Sequence, residues 1–257
     1  MLKKILNITS ILMLLASAIV VVVFSRIRHR SHAYEDIHIT VKYNSDDTLI
    51  TSFEIFELLN GRLISTGTTI GQVNLNALIM ELEKNPYLDD IDITLGLDRI
   101  VRIQVRQRVP VVRVMAGDRW FFVDDKGVVM PVRSGVSARV AVATFENKQQ
   151  PLLSPGTLIH PSHTSPGLWQ IFQTAQHIHR NDQLRALIDM IFINETGELN
   201  LITKFGSHTV LLGDISNLEH KLENLLVFYS NATSMPGWNE YRLVNLNYKN
   251  MVVCSKI

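Results

Sequence analysis

Histidines, paired carboxylates and one thiol are the residues of this 257-residue chain on which chemistry would draw. His160 and His163 stand in a proline-rich stretch, and His177 and His179 lie on a segment with helical periodicity. Zinc bound to a helix takes ligands from one face, commonly four residues apart. Residues two apart point in different directions, so His177 and His179 read more simply as solvated positions beside an apolar stripe. Asp89-Asp90 and Asp124-Asp125 are carboxylate pairs of the type that general acid–base chemistry uses, but both fall where turns and strand edges ordinarily carry acids. Cys254 follows Met251-Val252-Val253 with no basic neighbour in sequence to activate it. There is no G-x-S-x-G elbow, P-loop, dinucleotide glycine fingerprint or H-E-x-x-H. The expectation is a protein without catalytic residues, metal site or cofactor, and a lone cysteine precludes an internal disulfide.

Composition narrows the remaining classes. Lys and Arg number 25 against 24 Asp and Glu, a formal charge of +1, and apolar residues make up 46%. That balance excludes intrinsic disorder and argues against a dedicated nucleic-acid binder, which needs a basic face. The length allows one large domain or two small ones.

Ile5 to Phe24 is an uncharged run preceded by Lys3 and Lys4 and followed by Arg26, Arg28, His29 and Arg30. Twenty residues of helix span roughly 30 Å, the thickness of a bilayer's hydrocarbon core. Two readings compete: a signal peptide cleaved after Ala16-Ser17-Ala18, or an uncleaved anchor. The apolar run continuing through Ile19 to Phe24 and the basic cluster after it favour the anchor. Flanking charges leave its orientation tied.

Beyond a polar linker, Asp36 to Tyr43 alternates as a half-buried strand. Thr51 and Glu54 have capping-box spacing ahead of Ile55, Phe56, Leu58 and Leu59. A second helix is expected from Asn74, with Leu75, Leu78, Ile79 and Leu82 on one side and Asn85-Pro86 as its stop. Strands follow at Leu88 to Leu95 and Arg99 to Gln107; in the second, Val101, Ile103 and Val105 share one face and Arg102, Gln104 and Arg106 the other. The order is β-α-α-β-β.

After Val109 the pattern is mainly strands. Asp124-Asp125-Lys126-Gly127 is a hairpin signal. A helix with Pro166 in its first turn carries Leu168, Ile171, Phe172, Ala175 and Ile178 as one stripe. Ala186 to Ile193, Glu198 to Thr203 and Thr209 to Leu212 are expected strands, Ile215 to Tyr229 a helix, and Tyr241 to Asn247 and Met251 to Lys256 the last two strands. Arg99, Arg102, Arg106 and Arg108 form a basic stripe, read either as a solvated sheet face or as a partner patch. Met251 to Lys256 is β-prone and nearly uncharged. As an outermost strand it would present open N–H and C=O groups, the template for strand addition by a partner; as an internal strand it would already be paired on both sides.

Taken together, the pieces resemble the FtsQ/DivIB family of bacterial cell-division proteins. Leu75 to Leu88 (LNALIMELEKNPYL) is similar to the family's helix, proline and following strand, and Ile100 to Arg113 to its domain junction, with Gln107 where the family has glutamate. Trp120 to Met130 (WFFVDDKGVVM) resembles its most specific motif, an aromatic strand leading into D-x-x-G. The resemblance implies an α+β protein. It would have a short cytoplasmic tail (1–4), a single transmembrane helix (5–24), a linker (25–35), a small POTRA domain (36–109) and a larger, mainly antiparallel β domain with two helices (110–257). It implies a type II inner-membrane protein, its bulk periplasmic, placed at the division septum. The implied function is that of a noncatalytic scaffold linking early and late division proteins. An FtsB/FtsL-like partner would add a strand at Tyr248, Lys249, Asn250, Met251, Val252, Val253 and Cys254. The competing class, a POTRA-bearing component of outer-membrane protein assembly or secretion, would call for a carboxyl-terminal series of barrel strands.

Overall fold

A computed structural model describes residues 12–25, 33–60, 63–64, 68–69, 72–146, 153–206, 208–232, 234, 237–248 and 251–256. The chain divides into two compact units, one holding Ile50–Gln107 together with the chain up to Lys42, the other Tyr43–Leu49 and Arg108–Ile257.

The first unit begins with helix α1 (residues 12–25), whose apolar side chains from Leu12 to Leu15 and from Ile19 to Phe24 are exposed. The expected span from Ile5 to Phe24 is corrected here: Ile5 to Ile11 lie outside the described residues, and no described helix is long and apolar enough to cross a membrane. The fourteen described helical residues rise about 21 Å, against the roughly 30 Å of a hydrocarbon core.

Next come β1 (Asp36–Lys42), α2 (Ser52–Leu59), α3 (Leu75–Glu83), β2 (Leu88–Leu95) and β3 (Ile100–Gln107). They make a three-stranded sheet ordered β1-β3-β2, with β3 parallel to β1 and antiparallel to β2. Alternation in β3 buries Val101, Ile103 and Val105, and Ile55, Leu59, Leu78 and Leu82 supply buried helix faces in the same unit. The Thr51–Glu54 capping box forms: the Thr51 hydroxyl accepts from the Glu54 N–H, and the Glu54 carboxylate accepts from the Thr51 N–H at 2.8 Å. It satisfies two donors that a helix start otherwise leaves open.

The second unit contains β4 (Pro110–Ala116), β5 (Arg119–Asp124), β6 (Val129–Pro131), β7 (Ala141–Phe145), α4 (Pro166–Arg180), α5 (Asp182–Leu187), β8 (Ile188–Ile193), β9 (Leu199–Thr203), β10 (Thr209–Gly213), α6 (Leu218–Ala232), a 3-10 turn (Trp238–Glu240), β11 (Leu243–Asn245) and β12 (Val253–Ser255). Its strands join into one sheet of nine, ordered β12-β11-β10-β9-β8-β7-β4-β5-β6. The core lies between one face of this sheet and the helices. Ile171, Ala175 and Ile178 of α4 and Leu222 and Leu225 of α6 share it with Val114, Ile191, Leu201, Val210 and Val244 of the strands.

The sheet is mixed: β4–β7, β7–β8 and β10–β11 are parallel pairs, and the other five neighbouring pairs are antiparallel. Helices α4 and α5 lie between β7 and β8, and α6 lies between β10 and β11. A helical crossover of this kind returns the chain to the end where it started and so makes neighbours parallel. The two helices expected of this unit are corrected: among the described residues it has three, α4, α5 and α6. The segment expected as a strand from Ala186 begins as α5, because the Asn181 side chain accepts from the N–H groups of Gln183 (2.9 Å) and Leu184 (3.1 Å) and starts a new helix where α4 stops. The strand proper starts at Ile188.

The hairpin between β5 and β6 turns on Asp124, which is fully buried. One carboxylate oxygen accepts from the N–H groups of Lys126 (3.0 Å) and Val128 (2.6 Å), and the other from the Arg108 guanidinium at 2.8 Å. Burial nevertheless raises the Asp124 carboxyl above the usual aspartate value, outweighing Arg108 and Val128, which pull it down. Gly127 sits at φ +86°, and a Cβ there would crowd Phe172 and the Ile159 carbonyl. Asp124→Ala is expected to destabilise the protein by about 3 kcal/mol or more, since it takes a buried carboxylate from Arg108 and two acceptors from the turn. Asp124→Asn, which keeps an acceptor for the turn amides, should lose less. Urea unfolding midpoints of the two variants check the order.

Candidate functional site

The nine-stranded sheet ends differently on its two sides. At the β6 end the following loop closes over the edge: the Val129 N–H donates to the Thr157 carbonyl (2.9 Å), the Gly156 N–H to the Val129 carbonyl (2.8 Å), and the Ile159 N–H to the Gly127 carbonyl (2.8 Å). Val128 also bridges to Leu158, and Pro131 ends the strand. These are the devices by which sheets guard an edge. At the other end, β12 pairs with β11 in the register Leu243↔Ser255, Val244↔Cys254 and Asn245↔Val253, and no other described strand adjoins it.

The side chains of this edge divide by face. Val253 (42%) and Met251 (59%) are exposed, as is Tyr248, whereas Val252 and Cys254 pack against the core cluster. Burial pushes the Cys254 thiol above its ordinary value, the opposite of activation. Lys249 and Asn250 lie outside the described residues.

Strands of three residues form few ladder bonds, so β11 and β12 depend on what surrounds them. The Tyr229 hydroxyl, reaching in from α6, lies 2.9 Å from the Thr203 hydroxyl at the end of β9 and 2.9 Å from Nδ1 of His208, just ahead of β10. His208 Nε2 is 3.1 Å from the Trp238 carbonyl in the turn that leads toward β11. The rings of His208, Phe228, Tyr229 and Trp238 meet at tilted or edge-on angles, with centroids 5.3–6.5 Å apart. Burial raises the Tyr229 hydroxyl above its usual pKa.

At the other end of α6, Lys221 Nζ donates to the Leu212 carbonyl (2.9 Å) and to the carbonyl and carboxylate of Asp214 (both 3.0 Å). The Ser216 hydroxyl and then Lys221 hold the Asp214 carboxyl down at about 2. Gly213, at φ +76°, leaves room for the Asn247 side chain next to Tyr248. Sequence inspection misses Thr203, His208 and Trp238 because the bonds join residues more than twenty positions apart; the tyrosine on the α6 stripe is the single local hint.

Other candidates separate in space. His160 bonds to Ser162 and leans toward His163 and Trp169, while His177 reaches back to the Gln173 carbonyl. Among the described residues no group of three or more His, Cys, Asp and Glu could hold a metal. The basic stripe is matched residue by residue: Arg99 meets Glu35, Arg102 meets Asp98, Arg106 meets Asp89 and Asp90, and Arg108 meets Asp124. The paired carboxylates are thereby salt-bridge and turn residues.

The family model for FtsQ/DivIB, C-terminal related, matches residues 109–255, more than half of the chain and nearly all of the nine-stranded unit. The chain belongs to the FtsQ/DivIB family. Its members are cell-division proteins, and the motif Trp120 to Met130 that suggested them falls on β5, the Asp124 turn and β6. A cell division protein DivIB from Clostridium acetobutylicum is 27% identical over 80 residues, covering 31% of this chain and 32% of that protein. The chain thus aligns with about a third of the length of that relative.

The buried tyrosine gives a test. Tyr229→Phe removes the hydroxyl shared by Thr203 and His208 while keeping the ring. It should destabilise the nine-stranded unit by about 1–3 kcal/mol, read by denaturant unfolding, with amide exchange rising first in β10 and β11.

Proposed function

We propose that this FtsQ/DivIB-family protein is a noncatalytic scaffold of the division machinery that binds a partner by strand addition along Val253–Ser255. The observation that supports this reading is the contrast between the two ends of the sheet. The β6 edge is closed by a loop and a proline, while β12 meets only β11 among the described residues. An incoming strand would satisfy the remaining backbone groups, and the exposed side chains of Tyr248, Met251 and Val253 would decide which strand fits.

In this reading the partner is an FtsB/FtsL-like pair, and Tyr248, Lys249, Asn250, Met251, Val252, Val253 and Cys254 form the contact segment. The β-α-α-β-β unit serves as a POTRA domain that docks other division proteins, and the protein works at the septum. Main-chain pairing tolerates side-chain change but not loss of an N–H or of extended geometry.

Cys254, whose N–H faces the open edge, gives the test: Cys254→Ala is expected to bind the FtsB/FtsL-like pair within about threefold of the parent, and Cys254→Pro to lose about tenfold or more. Affinity of the purified full chain for that pair checks this. Equal loss from the two substitutions would instead assign recognition to the cysteine side chain.

A further inference from the structure

Away from the β12 edge, charges of like sign gather at one end of the sheet. Arg139 stands two residues before β7, Arg185 three before β8, and Lys204 directly after β9. The opposite ends of the same strands carry Glu146, Glu195 and Glu198. Because β7 and β8 are parallel and β9 runs against them, this segregation requires a cation before two strands and after the third.

The cations border a cavity of about 260 Å3. Its floor is made of core side chains, Val111, Ala141, Ile178 and Ile188, and its rim of Arg139, Arg185 and Lys204, with His179 and the single carboxylate Asp189. Arg185 is held in place by Asp182 at 2.7 Å and the His179 carbonyl at 3.3 Å, and the Lys204 ammonium donates to the Arg185 carbonyl at 3.1 Å. Burial, with Arg185 and Arg180 nearby, keeps the His179 imidazole below its ordinary value, although Asp125 and Asp182 pull the other way. Of the side chains that line the cavity three are cations and one, Asp189, is a carboxylate; outside the lining Asp182 pairs with Arg185, and Asp47 accepts from the Arg139 backbone N–H.

We infer that this cavity is a second docking site, taking an acidic segment of a partner polypeptide whose carboxylate lodges among Arg139, Arg185 and Lys204 while an adjoining apolar side chain covers the floor. Guanidinium forks match carboxylates in geometry as well as charge. Inorganic phosphate would answer the cations but leave Val140 and Ala141, the half-buried apolar side chains of the lining, against water. An acidic residue beside an apolar one answers both. None of these residues belongs to β12, so the site stands or falls apart from strand addition.

The test uses the full chain and a fluorescent peptide alternating glutamate and leucine, with a glutamine–leucine peptide and inorganic phosphate as comparison probes. The glutamate peptide should bind, and weaken about tenfold in Arg139→Glu and in Lys204→Glu, as expected for reversal of a complementary charge. It should tighten in Asp189→Asn. All three side chains are exposed, so thermal midpoints should hold. Failure of the glutamate peptide to bind, equal binding of the glutamine peptide, indifference to the two charge reversals, or displacement by phosphate at constant ionic strength would overturn the assignment.

Discussion

One tyrosine hydroxyl governs the geometry of the last strands. Tyr229 reaches from α6 to Thr203 and His208, and His208 reaches on to the Trp238 carbonyl. A single helix thereby fixes the finish of β9, the start of β10 and the approach to β11. All of this happens in a buried setting where unsatisfied polar groups are costly and satisfied networks rigidify. Without that clamp, two strands of three residues would have only a short ladder to hold them. With it, β12 is presented in one register against β11, as an ordered strand rather than a fraying tail.

The rest of the sheet follows the same economy. Crossovers through α4, α5 and α6 place every helix of the unit over one face, and the resulting core makes the sheet a rigid platform. Among the described residues the β6 end is closed by its loop while β12 has a single neighbour, so the proposed main-chain assembly would use the β12 end. Asp124 secures the closed end by tying Arg108 and two turn amides together beneath the hairpin.

Local patterns carried much of this architecture. The Thr51–Glu54 capping box, the Ser165-Pro166 start of α4 with its buried stripe, and the Asp124 to Gly127 turn are each decided by neighbours within a few positions, and each is present. Pairing direction was less legible. A strand's period shows which face is buried, but whether β7 runs with β8 depends on where α4 and α5 return the chain, and whether it runs with β4 on the β5 and β6 strands between them. Helix α5 escaped notice because Leu184 and Leu187 also suit a strand, and the Asn181 side chain decides otherwise. The sequence left the last strand's place in the sheet open between edge and interior, since that depends on partners far along the chain. Its length was overestimated for a related reason: Met251 to Lys256 is β-prone throughout, but only Val253–Ser255 finds β11 opposite.

Hydrogen exchange at the Cys254 amide, which faces the open edge while those of Val253 and Ser255 face β11, tests strand addition at its point of action, with and without a bound FtsB/FtsL-like pair. The account predicts that this amide, exchanging rapidly in the free protein, becomes strongly protected in the complex, alongside newly slowed amides in a contiguous segment of the partner. A tight complex in which the Cys254 amide exchanges as it does alone would contradict it.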